Sequence, residues 1–264
     1  MIAIIGAGKM GEALLAGLLG TGHAAAEVLV TEPRAEQARR LRERYGVEIV
    51  PAEEAARRAD TLVLALKPQD MVDLLVDVAP AISGDTLVIS VAAGITTGLL
   101  EKHLVGDVAV VRAMPNTPAV VGQGMTAIAA GRHATADHLD RAEALLRPVG
   151  EVLRVAERHM DTVTALSGSG PAYFYFIVET MIDAGVLMGM SRDIAEKLVV
   201  QTIAGSASML RDSGEHPVVL REAVSSPGGT TAAAVRELER HGVRTAFTDA
   251  IEAARDRSRE LSEG

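Results

Sequence analysis

Ile2-Ala3-Ile4-Ile5-Gly6-Ala7-Gly8-Lys9-Met10-Gly11 opens the chain, and Glu12 to Leu19 follow with apolar residues at helical spacing. A short apolar run, a glycine turn and a helix make up the first half of a βαβ unit. Each glycine then has a mechanical task. Gly6 permits the tight turn, Gly8 lets a pyrophosphate approach the backbone, and Gly11 lets the helix pack on the strand. Ala7, Lys9 and Met10 complete the turn, whose unpaired amides at a helix N-terminus favour an anion. The spacing predicts a dinucleotide-binding turn.

The alternation continues outward from this stretch. Strands are expected at residues 27–31, 47–50, 61–66, 86–91 and 107–112, with a charged helix from Ala35 to Tyr45 ended by Gly46. Pro68 starts a further helix, where its missing N–H costs nothing. More strands are read at 124–130 and 151–155, joined by a helix over 135–146. Strands alternating with helices imply a mainly parallel sheet covered on both faces. The pattern changes near Glu157. Beyond it only helices are read, at 171–187, 191–210, 230–240 and 244–261. The expected class is therefore α/β: a Rossmann-type domain over residues 1–156 and an all-helical domain over 157–264. Past Gln201 the second of those helices is almost entirely small or apolar, so packing against a partner subunit is expected of it.

Composition narrows the functions open to such a chain. It has 264 residues, 48% hydrophobic but only 2% aromatic, with a formal charge of −9. An acidic chain without a basic face is not built for nucleic acid. With no cysteine, disulfides, thiol catalysis and cysteine-ligated zinc are excluded. The seven histidines are scattered without ligand spacing, so no metal site is expected. Met1 leads straight into a strand with no basic leader before it. The longest apolar run, 172–190, carries Glu179 and Asp183 near its middle, against a membrane span. A cytoplasmic protein is expected.

Four further stretches carry chemistry. Glu32 lies at the end of the second strand, where an acid hydrogen-bonds the adenosine ribose of NAD. Arg34, two residues on, is instead of the type that pairs with the 2′-phosphate of NADP, and the two signals conflict. Ala65-Leu66-Lys67-Pro68 and Val91-Ala92-Ala93 end parallel strands, the edge at which open α/β sheets bind ligands. Lys67 is placed either to touch a ribose or phosphate oxygen or to cap loop carbonyls. The loop from Arg112 to Pro118, with Asn116 between its prolines, reads as a wall for the nicotinamide or as a rigid turn. Ser225-Ser226-Pro227-Gly228-Gly229-Thr230-Thr231 opens directly into the Ala-rich helix from Ala232. Hydroxyls, a glycine pair and free helix amides form a second anion cradle, suited to a small acid.

From end to end the chain resembles pyrroline-5-carboxylate reductase. The resemblance is carried by Ile4 to Gly11, Leu66-Lys67-Pro68, Ser90 to Gly94 and Arg112 to Pro118. More specific are Ser167-Gly168-Ser169-Gly170-Pro171-Ala172-Tyr173 and the stretch from Leu220 to Glu239 around the serine–glycine turn. It implies reduction of the cyclic imine 1-pyrroline-5-carboxylate to L-proline by NADPH or NADH, the last step of proline biosynthesis. It also implies a helical domain interlocked in a homodimer, often assembled further into decamers. By the same resemblance the phosphates lie at Gly6 to Gly11. The nicotinamide half lies near Ala65 to Pro68 and Val91 to Ala93. The substrate carboxylate sits on Ser226 and the amides of Gly229, Thr230 and Thr231, with Gly228 shaping the turn. The Thr231 hydroxyl reaches the ring nitrogen, and Glu157 falls where some members place an acid near the substrate. Two departures, Pro51-Ala52-Glu53 near the adenosine and Glu32 in place of a small hydroxyl residue, speak against strong NADP preference.

What is missing agrees with that chemistry. A protonated imine is already an electrophile, so hydride transfer needs neither a covalent nucleophile nor a metal, only donor and acceptor carbons held about 3–3.5 Å apart. A β-hydroxyacid dehydrogenase, built on a similar plan, needs a general base. Here Pro171 is followed by Ala-Tyr-Phe-Tyr-Phe, with no lysine until Lys197. A dinucleotide sensor without turnover has no use for a second cradle.

Overall fold

The computed structural model describes residues 1–263. Eight strands form one sheet: β1 (Ile2–Ile5), β2 (Val28–Thr31), β3 (Glu48–Ile49), β4 (Thr61–Leu64), β5 (Leu87–Ser90), β6 (Ala109–Met114), β7 (Gly124–Ala130) and β8 (Gly150–Arg154). Their spatial order is β3-β2-β1-β4-β5-β6-β7-β8. Every neighbouring pair is parallel except β6 with β7. Six helices lie between the strands: α1 (Lys9–Gly20), α2 (Ala35–Tyr45), α3 (Ala52–Arg58), α4 (Met71–Val78), α5 (Thr97–His103) and α6 (Ala136–Leu146). Six more follow β8: α7 (Met160–Val163), α8 (Gly170–Leu187), α9 (Arg192–Ser213), α10 (Pro217–Ala223), α11 (Thr230–Arg240) and α12 (Val243–Glu263).

The strands alternate their side chains between two cores, so apolar residues fill both faces. Ile4, Val30, Val63, Ile89 and Val111 pack with Leu14, Leu15 and Leu18 of α1, Leu41 of α2 and Leu146 of α6. Their sequence neighbours Ile5, Leu29, Leu62, Val88 and Val110 pack with Ala55 of α3, Met71 and Leu75 of α4 and Leu100 of α5. This two-sided burial is why the strands read as unbroken apolar runs.

Element boundaries shift where tertiary contacts decide them. The fourth strand stops at Leu64, not Leu66. There the Ala65 amide donates to the Ile5 carbonyl at 2.8 Å and the chain turns under Gly6. β6 runs on to Met114, which places Arg112 inside the sheet. Helices α3, α5, α7 and α10 add to those read from sequence.

The chain forms two compact units, one of residues 1–171 with the end of α12 from Ala254, the other Ala172–Ala253. Residues just after Glu157 pack on the sheet, since Met160 joins Met114, Ala127 and Ala129 in a small core. In the same unit the Ser258 hydroxyl donates to Asp161 at 2.8 Å, and a Cβ on Gly94 would lie 3.4 Å from the Leu261 carbonyl. The second unit has a slight core of its own, Ile182, Ala195 and Val199. It leaves Phe174, Tyr175, Phe176, Leu187, Met188 and Leu198 exposed. Among the described residues no helix is long and apolar enough to cross a membrane.

Candidate dinucleotide edge and anion turn

Strand order sets the first site. The chain leaves β1 toward β2 on one side, and β4 lies on the other, so a crevice opens above the carboxyl ends of β1 and β4. Into that edge project the glycine turn after β1, Glu32 after β2, Ala65 to Pro68 after β4 and Val91 to Ala93 after β5. The turn is closed by the Gly6 amide, which donates to the Thr31 carbonyl at 2.9 Å. Gly6 has φ of +91°, and a Cβ there would lie 2.7 Å from the Ala65 carbonyl oxygen. A Cβ on Gly11 would collide with the Gly6 carbonyl and lie 3.3 Å from the Ala65 side chain. A Cβ on Gly8 would meet nothing within 4 Å. Gly8 is therefore the one glycine of the three whose missing side chain leaves room rather than protein contact. It is also the N-cap of α1 and uses no side chain as a cap. The free amides of the first turn thus face open space beside it, an arrangement that fits a pyrophosphate.

Glu32 and Arg34, competing signals in sequence, are partners in space. Glu32 is only 8% exposed. Its Oε1 accepts from the Arg34 amide at 3.0 Å and from Nε at 2.8 Å, and its Oε2 accepts from Nη2 at 3.0 Å. The guanidinium hydrogen bonds hold the Glu32 carboxyl below its ordinary range against the opposing effect of burial, and the amides of Arg34 and Ala7 assist. Lys9 and Lys67 are exposed and make no hydrogen bond or ion pair among the described residues. Both remain available to an anion. Met10 is half-buried in the first turn of α1, and Leu66 and Ala92 pack toward the core.

Asn116 is used inside the protein. Its amino group donates to the Ser167 carbonyl at 3.2 Å and to the Ser167 hydroxyl at 3.3 Å, and its oxygen accepts from the Met125 amide at 2.9 Å. It braces the turn after β6 against Ser167-Gly168. Glu157 is likewise engaged. Its Oε1 accepts from Arg112 Nη1 at 2.9 Å and from the Thr97 amide at the start of α5 at 3.2 Å. Arg112 is 2% exposed, and its Nε and Nη2 have no partner, nor has Glu157 Oε2. Sequence reading took Arg112 as the end of a strand and the start of a loop, not as a buried ion-pair partner. The available signal was a lone arginine in the apolar run Val108 to Met114, which demands an acid partner once buried.

The second cradle lies in the other unit and is described by itself. The Gly229 amide donates to the Ser226 carbonyl at 3.0 Å, closing a turn through Pro227 and Gly228. Gly228 holds φ at +70°, the left-handed region that this turn requires. A Cβ on Gly229 would collide with the Ser226 hydroxyl, so the glycine is what lets that hydroxyl lie over the turn. Gly229 is the N-cap of α11 without a side-chain cap. The amides of Thr230 and Thr231 therefore open the helix unpaired, beside three hydroxyls. Among the described residues no cluster of acids and histidines is arranged to hold a metal ion.

Comparison with known proteins places these features in context. A family described as "Pyrroline-5-carboxylate reductase dimerisation" matches residues 157–261, and one described as "NADP oxidoreductase coenzyme F420-dependent" matches residues 1–94. The chain is 43% identical to the pyrroline-5-carboxylate reductase of Corynebacterium melassecola over 264 residues, covering 98% of each. It superposes on the structure of a pyrroline-5-carboxylate reductase from Coxiella burnetii with a TM-score of 0.94 at 37% identity, covering 99% of this chain and 98% of that one. A Plasmodium falciparum pyrroline carboxylate reductase with NADP bound gives a TM-score of 0.88 at 31% identity, covering 99% and 97%.

Proposed function

Since the chain belongs to the pyrroline-5-carboxylate reductase family, we propose that it reduces the cyclic imine 1-pyrroline-5-carboxylate to L-proline with NAD(P)H, in the cytoplasm, as the last step of proline biosynthesis. The observation that carries this reading is the serine–glycine turn. It offers a small carboxylate two unpaired helix amides and a hydroxyl held over them by Gly229. A dinucleotide edge alone is common to many activities; a second cradle for a small acid is not.

When bound, the dihydronicotinamide supplies a hydride to the C=N carbon of the protonated imine, which leaves the oxidised dinucleotide and proline. The protein's part is binding and orientation. Gly6 to Gly11 and the amides opening α1 hold the pyrophosphate, with Lys9 and Lys67 as counter-charges. Glu32 and Arg34 meet the adenosine ribose. Ala65 to Pro68 and Val91 to Ala93 line the nicotinamide half. Ser226 and the amides of Thr230 and Thr231 fix the substrate carboxylate, the Gly229 amide being spent on the Ser226 carbonyl, and the Thr231 hydroxyl hydrogen-bonds the ring nitrogen and orients it. Glu157 and Asn116 serve as positioning residues: Glu157 ties the start of α5 to Arg112, and Asn116 ties the turn after β6 to Ser167.

Residues 1–156 serve as the dinucleotide domain and 157–264 as the substrate and dimerisation domain. The second unit's large exposed apolar side chains against so small a core support a homodimer, and decamers built from such dimers are the proposed assembly. The test is oxidation of NADH and NADPH at 340 nm with 1-pyrroline-5-carboxylate as the sole acceptor, with proline measured as product. Imine-dependent oxidation with matching proline is expected. Folded protein that binds dinucleotide but oxidises none removes the reading.

A further inference from the structure

The geometry at the end of β2 points to a choice between the two dinucleotides: we propose that the Glu32 carboxylate makes this chain selective for NADH over NADPH. The proposal rests on the dinucleotide reading of the sheet edge and goes beyond it by naming the residue that discriminates.

The end of the second strand of a βαβ unit is where the adenosine ribose lies, and an acid there accepts from its hydroxyls. Glu32 immediately follows β2, and its side chain is 2% exposed. The Arg34 fork keeps it ionised, and the Ala7 amide adds to that hold from the glycine turn. A fixed negative charge, braced by the guanidinium, therefore stands at the ribose position. It accepts from a 2′-hydroxyl and repels a 2′-phosphate, because like charges brought together at a buried site are strongly disfavoured.

Arg34 does not cancel this preference. Its Nε and Nη2 are already spent on Glu32, at 2.8 and 3.0 Å, and so is its amide, at 3.0 Å. Swinging the guanidinium to a 2′-phosphate forfeits both of its charge-assisted hydrogen bonds to Glu32. Pro33 between them fixes its own φ and stiffens the short span across which the pair is made. The next polar side chain on α2 able to reach the turn, Gln37, donates to the Ala7 carbonyl at 3.1 Å and to Glu12 at 3.3 Å, so it too is engaged. Glu32 is thus the acceptor, with the arginine setting the carboxylate's charge and direction.

The test is calorimetric titration of the full chain with NADH and with NADPH, without imine, for the native protein, Glu32→Gln and Arg34→Ala. The native protein is expected to bind NADH at least about tenfold more tightly. Glu32→Gln should weaken NADH and strengthen NADPH, erasing or reversing the ratio. Arg34→Ala should leave NADPH bound no more weakly than in the native protein. Equal or tighter binding of NADPH by the native protein overturns the proposal, and so does loss of NADPH binding in Arg34→Ala. The native ratio decides even if a variant fails to fold. Rates with the imine separate the two readings. NADH preferred in binding but never oxidised leaves the cofactor choice standing and removes the reductase. NADPH preferred and rapidly oxidised does the reverse.

Discussion

Thr231 stands in the first turn of α11 with its amide unpaired, and its hydroxyl is the one proposed to meet the imine nitrogen. Thr231→Ala is expected to lower kcat about 10- to 100-fold, the worth of a hydrogen bond to a charged group, while calorimetric dinucleotide affinity stays unchanged. An unaltered kcat removes the hydroxyl from the mechanism. Glu32 carries a prediction about stability as well as selectivity. Its folded pKa lies below the ordinary glutamate value of 4.5. The stabilisation from its ionised form is therefore complete above that value and disappears as pH falls through the lowered one. Glu32→Gln should cost about 1 kcal/mol in urea unfolding at pH 7, and the difference should shrink as the pH is taken below 4.5. A difference that grows on acidification contradicts the lowered pKa.

At the scale of elements, the strand–turn–helix from β1 to α1 separates two kinds of glycine. Gly11→Ala forces a side chain into the Gly6 carbonyl and should destabilise by about 1–3 kcal/mol in thermal or urea unfolding. The Cβ of Gly8→Val meets no protein atom within 4 Å, so the variant should cost only the poorer N-cap, about 1 kcal/mol, while abolishing calorimetric dinucleotide binding. Retained binding would displace the pyrophosphate from this turn. The link from β6 to α5 depends on Arg112 and Glu157. Glu157→Ala strands a buried guanidinium and should cost about 2–3 kcal/mol, less than a fully buried pair because Glu157 is 31% exposed. The double variant Arg112→Met with Glu157→Leu should recover most of that loss. The long elements were legible in sequence because hydrophobic period and stop signals agree, as in α2, which ends on left-handed Gly46 where the sequence places its end. Helices α3, α5 and α10 were not, because seven residues make fewer than two turns and no apolar period can repeat. Their signals were local: the Glu53–Arg57 and Glu54–Arg58 pairs, Thr96 accepting from the Leu99 amide at 3.1 Å, and Pro217 at the first turn. The glycine turn and the serine–glycine turn were legible as motifs. The grip of Arg34 on Glu32 and of Glu157 on Arg112 was not, since spacing does not reveal which charges face each other.

For the whole molecule, the second unit has too little core to account for its own order. Leu198 and Phe176 are 54% and 70% exposed in the single chain. Light scattering is expected to give at least a dimer at micromolar concentration, with a Tm that rises with protein concentration. Leu198→Asp should lower that Tm and its concentration dependence together; a stable, well-folded monomer would refute the dimer. Assembly of the sheet unit raises a different matter, that of timing during synthesis. β1, which carries the glycine turn, is made first, yet its second flanking strand begins only at Thr61, and register with it is complete at Leu64. Long-range parallel pairing has to close a large loop, so it forms later than local pairs such as β6 with β7. A nascent chain that ends before Leu64 carries an apolar strand with one bare edge, the form in which unfinished chains adhere to one another. Dinucleotide cannot shield it, because Ala65, whose amide closes the turn on Ile5, has not yet been made. Only once β4 is in place can a bound dinucleotide add its binding energy to the stability of this edge.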